Sequence, residues 1–376
     1  MARQTISLVA DSLVTPSATE VTAGRLAVRS RRLAGGRREG VTLVELTAGE
    51  TTVCVLPERG LGIWKMMSRG TPLGWQSPVA GPVHPNFVPL AEPSGLGWLD
   101  GFDELVARCG LVSNGAPDFD ATGRLLHGLH GRIANLPAHA VSVTLDDAAG
   151  TITLEGAVDE TRFHFHVLRM QTTLVLSADR PRIAWTDTIT NLSDRPATMQ
   201  LLYHVNLGPP LLGAGAELVA AVEEVAPRDA AAVDDVPTWN RYVAPQAGRR
   251  EQVHFARLRA SADGWASALL AAPDGSQAAG LSWRADTLPC FALWKNQTGE
   301  ADGYVTGLEP ATNYPNARSF EEAQGRVVAL APNQTVRFDL AIEHLAGPAL
   351  SAARDRLAAG PAPQIHAAPR AGWSPV

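Results

Sequence analysis

The sequence predicts an all-β fold, on three observations. Apolar and polar residues alternate in short runs from Val41 to Ile342, at the period of two that a half-buried strand requires. Turn-forming Gly, Asn, Asp and Pro interrupt those runs every 8–12 residues or so, roughly the spacing of a sandwich or a closed barrel-like stack. A helical period is convincing only over residues 350–358, after Pro348, and no GxGxxG motif follows a strand. The βαβ alternation of a dinucleotide fold is therefore not expected.

Taken in order, residues 1–40 are small, polar and Arg-rich, and suit a loosely packed lead-in or an edge strand. The Arg29 to Arg38 stretch has no apolar run behind it, so it is not a signal peptide. Residues 41–46 and 51–56 flank Thr47-Ala48-Gly49-Glu50, a hairpin signature. Residues 59–63 lead into a short strand at 64–67. Residues 70–125 are irregular, with Pro72, Pro78, Pro82, Pro85, Pro89 and Pro93, and are expected to form a wall or lid over a pocket. Strands are then predicted at 141–145, 151–154, 162–168, 172–176, 183–190 and 197–203, and at seven further places up to 342. In the 162–168 strand, His164 and His166 would share a polar outer face with Arg162 and cover an aromatic inner face of Phe163 and Phe165. Residues 224–250 read as a surface excursion, and the chain after Gly360 as a frayed or draped tail. The expected organisation is one β-sandwich domain over 41–346, a lead-in over 1–40, and a short helix with a Pro/Ala-rich tail over 347–376.

Composition narrows the function. Hydrophobic residues make up 45% and charged residues 19% of the chain, which is globular rather than disordered. The net charge of −6, with no dense basic patch, argues against nucleic acid. No apolar run approaches the ~20 residues of a membrane span. Cys54, Cys109 and Cys290 are widely spaced and form no CxxC pair, so a reducing, cytoplasmic setting is expected, and no metal or other cofactor is called for. The expected partner is a small molecule, with the chain a monomer or homodimer.

The chemistry concentrates in three segments. His127-Gly128-Leu129-His130-Gly131-Arg132 is too glycine-rich for a helix, and reads as a bend that presents His130 and Arg132 together. Tyr203-His204-Val205-Asn206 and Gly307-Leu308-Glu309-Pro310 lie at strand ends and are expected to meet it in one pocket. An imidazole and a carboxylate on opposite sides of a sugar hemiacetal could open the ring. The base takes the C1 hydroxyl proton and the acid protonates the ring oxygen. Two other readings stand beside this one: a carbohydrate-binding module on the same face, and a metal-assisted isomerase or lactonase with His127, His130, His204 and Glu309 as ligands.

The blocks Leu129 to Ala138, Leu202 to Gly208 with Pro210-Leu211-Leu212, and Gly307 to Thr312 resemble signatures of the aldose 1-epimerase (galactose mutarotase-like) superfamily. More closely, they resemble its DUF4432 branch, which Arg59-Gly60-Leu61-Gly62-Ile63, Pro72-Leu73-Gly74-Trp75 and Cys109-Gly110-Leu111 also fit. The resemblance covers roughly residues 40 to 345. It implies a β-supersandwich with very few short helices, and aldose 1-epimerase-type (mutarotase) activity. It also implies His204 as general acid, Glu309 as general base, and His130 and Arg132 as substrate-binding groups, with Asn206 in the His204 block and His127 in second rank. Two departures stand out. Mutarotases carry the binding Arg before the first His, whereas Arg132 follows His130. They also use an Asp between the second His and the Glu, a place for which Asp234 or Asp235 is the candidate here, with Trp239, Asn240 or Lys295 as substitutes. Arg132 with Lys295 would suit an acidic sugar as well as a plain hexose.

Overall fold

The computed structural model describes residues 3–9 and 18–375. Two sheets pack face to face, as the period-two pattern requires. The smaller has nine strands, in the order Arg3–Val9, Ala140–Asp146, Thr151–Arg162, His166–Ser177, Arg182–Asn191, Thr335–Ala346, Gln277–Arg284, Trp265–Ala271 and Glu217–Ala220. The larger has fourteen, and at its centre Val106–Leu111, Ala197–Leu207, Val305–Ala311, Cys290–Asn296 and Gln252–Leu258 lie side by side. Every pairing among these central strands is antiparallel. One core joins the sheets, with Val44, Leu46 and Val53 of the larger against Leu154, Leu174 and Ile183 of the smaller.

Arg182–Asn191 shows how sequence period sets burial: Ile183, Trp185, Asp187, Ile189 and Asn191 all turn inward and their neighbours do not. A carboxylate in that row must be paired. Arg108 of the larger sheet supplies the partner, its Nε and Nη2 donating to the Asp187 oxygens at 2.6 and 3.1 Å. Thr172 (2.6 Å) and Tyr203 (2.9 Å) complete the shell, so the sheets are crosslinked through one satisfied polar cluster.

Ala197–Leu207 is buried on both faces. Leu201, Tyr203, Val205 and Leu207 join the inter-sheet core, while Leu202 joins a second cluster with Trp75, Trp98 and Phe102 on the opposite face. That second cluster exists because part of the irregular 70–125 segment folds over the larger sheet, its turn Gly97–Gly101 carrying Trp98. The segment is not wholly irregular, since Val106–Leu111 is a central strand.

Two open alternatives are decided, for the lead-in and for the tail, and two further expectations need correction. The lead-in is structured where described: Arg3–Val9 edges the smaller sheet, and Ala18–Ala23 with Leu26–Arg32 edges the larger. Residues 162–168 do not form one strand. His164, with φ of 68°, closes a tight turn between Thr151–Arg162 and His166–Ser177, which leaves Phe163 and Phe165 82% and 66% exposed rather than inward. Residues 224–250 are no mere excursion, because Val222–Pro227 is a strand and Trp239 and Tyr242 enter the core. The tail drapes: Gln364–Ile365 adds a parallel strand to Val222–Pro227, and Trp373 packs on Tyr314 at 4.9 Å. The predicted helix runs Gly347–Ala358, with Pro348 in its first turn and Leu350, Ala353 and Leu357 buried. Among the described residues no helix is long and apolar enough to cross a membrane.

Candidate active site

The register of the central strands brings two of the expected groups together. Val205 pairs with Leu308 and Asn206 with Gly307, so His204 falls opposite Glu309. Both point away from the inter-sheet core, by the alternation that sends Tyr203 and Leu308 into it. His204 Nε2 lies 3.2 Å from Glu309 Oε1. Gly307 makes that approach feasible: a Cβ there would sit 2.5 Å from Glu309 Oε1 and 3.0 Å from the His204 ring.

Asn206, two positions along on the same face, fixes the imidazole. Its amide nitrogen donates to the carbonyls of Glu104 (3.0 Å) and His204 (3.1 Å), which orients its oxygen toward His204 Nδ1 at 2.6 Å. Nδ1 must then carry a proton, and the neutral ring presents the Nε2 lone pair to Glu309. Burial, then the neighbouring His130, hold the His204 imidazole well below its ordinary pKa, so the neutral ring dominates near pH 7. Burial, reinforced by the negative charge of Glu251, raises Glu309 to about 8. Its Oε1 makes no aligned hydrogen bond. The pair therefore holds one acidic proton near neutrality, resident on Glu309.

His130 completes the group from the bend. Its φ is 57° and that of Gly131 is 70°, two successive left-handed residues. Gly131 is required there, since a Cβ would lie 2.0 Å from the Ser113 carbonyl oxygen. His130 Nδ1 donates to the Asn114 carbonyl at 2.9 Å, leaving Nε2 as an acceptor, and burial lowers the ring's pKa to about 4. The His130 and His204 ring centroids are 5.4 Å apart. Trp98, Phe102 and Trp294 surround them, at 4.6 Å from His130 for Trp98, and at 5.0 and 5.4 Å from His204 for the other two. The cavity they line is about 260 Å³, and Leu96, Leu99, Arg228 and Glu251 line it as well.

The remaining expected residues lie elsewhere. Arg132 and His127 line a different cavity, on the other side of the bend. The presentation of His130 and Arg132 together fails because the paired left-handed residues break the alternation that would have kept them on one side. Lys295 alternates with Trp294 and so turns to the opposite face of Cys290–Asn296, where it is fully buried against Asp235 at 2.5 Å. Asp235 also accepts from His254 at 3.0 Å, and Trp239 packs in the inter-sheet core. Asp235 and Lys295 thus pair in a buried cluster with His254, Trp239 belongs to the core, and none of the three lines this cavity. The metal-ligand set of His127, His130, His204 and Glu309 is divided in the same way by the bend.

Arg228 and Glu251 were not foreseen, since both fall in or beside a stretch whose composition reads as loop. The aromatic wall was legible only as local packing around Trp98 and Phe102.

The profile of the family described as a domain of unknown function, DUF4432, matches residues 38–344. The chain belongs to the DUF4432 family. Among solved structures, this DUF4432 protein is similar to a protein from Klebsiella pneumoniae subsp. pneumoniae MGH 78578 that is provisionally named an aldose 1-epimerase. The identity is 29%, the TM-score 0.94, and coverage 98% of this chain and 100% of that one. A galactose mutarotase-like protein from Clostridium acetobutylicum (14% identity, TM-score 0.58) covers 86% of this chain and 99% of its own. A protein from Escherichia coli K12, again provisionally named an aldose 1-epimerase, matches at 15% identity and TM-score 0.55, over 82% of this chain and 100% of its own. Among functionally curated proteins none matches. The DUF4432 chain thus has the galactose mutarotase-like β-sandwich fold, in a family related to the aldose epimerases.

Proposed function

We propose that this protein is an aldose 1-epimerase-type isomerase that interconverts the anomers of a neutral aldose. The observation that carries the reading is the buried His204–Glu309 pair, 3.2 Å apart, lining a cavity together with Trp98, Phe102 and Trp294.

Ring opening needs one group to take a proton and another to give one at the same hemiacetal carbon. In the resting pair Glu309 holds the proton and His204 offers a lone pair. Transfer of that proton to Nε2 gives the imidazolium–carboxylate form. In that form Glu309 accepts the proton of the C1 hydroxyl, the O–H electrons become the C1=O bond, and the C1–O5 bond breaks. The O5 electron pair takes the proton from His204. Rotation about C1–C2 and the reverse transfers close the ring on the other face. Asn206 keeps Nδ1 occupied so that Nε2 does the work, and His130 Nε2 accepts a hydroxyl of the sugar. Trp98, Phe102 and Trp294 offer flat apolar surface to the sugar ring and keep water out.

A neutral substrate is favoured because the cavity has no cation to spare. Arg228 is already paired with Asp229 at 2.7 Å and Glu251 at 3.2 Å. Arg132 and Lys295, the two residues that suggested an acidic sugar, do not reach this cavity.

Saturation-exchange proton NMR on a panel of neutral and acidic aldoses tests the proposal. At least one neutral aldose should exchange anomers faster with the protein than in buffer, and Glu309→Gln should remove the acceleration. Buffer-level exchange across the panel, with saturable sugar binding, would instead make the protein a binding module.

A further inference from the structure

The bend that carries His130 is a partition with a cavity on each side, and the isomerase reading uses only one of them. The outer cavity is the larger, about 530 Å³. From different parts of the chain, Arg132 and Arg162 both line it. Arg162 ends Thr151–Arg162, and its guanidinium lies 4.6 Å over the Phe165 ring, a contact that holds the group in place without neutralising it. Arg124 lines the cavity too but is committed to Asp120 at 3.1 Å. Among the described residues neither Arg132 nor Arg162 has an ion-pair partner. Behind the wall, buried Arg318 donates to the Val112 carbonyl and to the Thr198 hydroxyl at 2.6 Å, a third positive charge spent on neutral acceptors.

Several polar groups in the cavity lining are incompletely paired. Ser113 is 1% exposed and its hydroxyl has no partner; His166 Nε2 is buried and likewise unpartnered, 3.9 Å from the nearest Glu160 oxygen. Glu160 is 2% exposed and accepts the Leu111 N–H at 2.6 Å. Burial raises its pKa, against the lowering effect of that bond and of Arg132. Burial, then Arg132 and Arg162, lower the pKa of His166. Buried polar groups are normally satisfied, and orphaned ones beside unpaired guanidiniums mark a place where a ligand supplies the missing partners.

We infer that this outer cavity is a second small-molecule site, which takes an oxyanion group on Arg132 and Arg162 and the hydroxyls of the same molecule on Ser113, His166 and Glu160. The ligand class is a polyhydroxylated carboxylate or phosphate ester. A bare inorganic anion would leave the lining groups unanswered and would face the Glu160 carboxyl. The site does not depend on the isomerase reading, because no residue of the His204–Glu309 pair contributes to it.

Calorimetric titration of the full chain with glucuronate, glucose 6-phosphate, glucose and inorganic phosphate tests it. Glucuronate or glucose 6-phosphate should bind saturably and more tightly than inorganic phosphate, and glucose should not compete at this site. Arg162→Gln, at an exposed strand end, should weaken that binding about ten-fold or more with the circular dichroism spectrum unchanged, the scale of one charged hydrogen-bonding group. Arg132→Gln should do the same, and Glu309→Gln should leave it intact. Failure of both anionic sugars to bind, or equal binding by wild type and the two arginine variants, would overturn the site. If the arginine variants matter but inorganic phosphate binds as tightly as the sugar derivatives, the cavity is a general anion sink and the hydroxyl half of the inference is wrong.

Discussion

Tyr203 and His204 are adjacent on one strand, and their polar atoms end in opposite conditions. Tyr203 turns inward to Asp187, whose charge is met by Arg108, Thr172 and Tyr203 itself at 2.6 to 3.1 Å. His204 turns outward to Glu309, whose Oε1 has no aligned partner and whose pKa is raised to about 8. Both clusters are buried, and both hold a carboxyl on a β-strand. The first is closed and serves the joint between sheets. The second is left short of one hydrogen bond and borders a cavity, so it keeps a proton to exchange. Completeness of the hydrogen-bond shell, rather than burial, is what differs between the two clusters.

That contrast can be broken most sharply at Glu309. Glu309→Gln is expected to slow catalysed anomer exchange about 10²–10⁴-fold with the fold intact, by exchange NMR alongside circular dichroism. Asp187→Ala should do the converse. Leaving Arg108 buried without its partner is expected to cost about 3–5 kcal/mol in denaturant unfolding, and what remains folded should keep its turnover.

The pH dependence sharpens the comparison. Exchange should hold level through neutrality and fall about ten-fold per pH unit once Glu309 loses its proton above about 8. A raised carboxyl pKa also means that the folded chain binds a proton the unfolded chain releases. Glu309 therefore contributes stability that is full below the ordinary carboxyl range and is lost as pH rises toward about 8. Glu309→Gln should raise stability relative to wild type more at pH 9 than at pH 4, by roughly 2 kcal/mol or more in paired denaturation curves. No equivalent gain is expected for substitutions at Asp187. The smallest effect is that of Asn206→Ala, which frees the imidazole to change tautomer. It should lower kcat about ten-fold, on the modest side of a general acid–base contribution, with KM little changed.

The chain by itself determined the all-β class, because a period of two survives any arrangement of the strands. It also singled out His130, His204 and Glu309, which stand in short blocks that the family resemblance marks. The three converge on one cavity as expected, although His204 and Glu309 lie inside central strands rather than at strand ends. The partners of these residues were decided only by the tertiary structure. Arg132 was turned away from His130 by the left-handed pair of His130 itself and Gly131, a backbone choice that Gly131 permits but does not announce. Lys295 was removed from the cavity by a parity that depends on which neighbour, Trp294, faces it. Arg228 and Glu251 entered because a stretch that reads as loop contains a strand of the larger sheet. Periodicity fixes which residues share a face of one element. Which two faces then meet is set by strand order and register, and these come from contacts hundreds of residues apart in some cases.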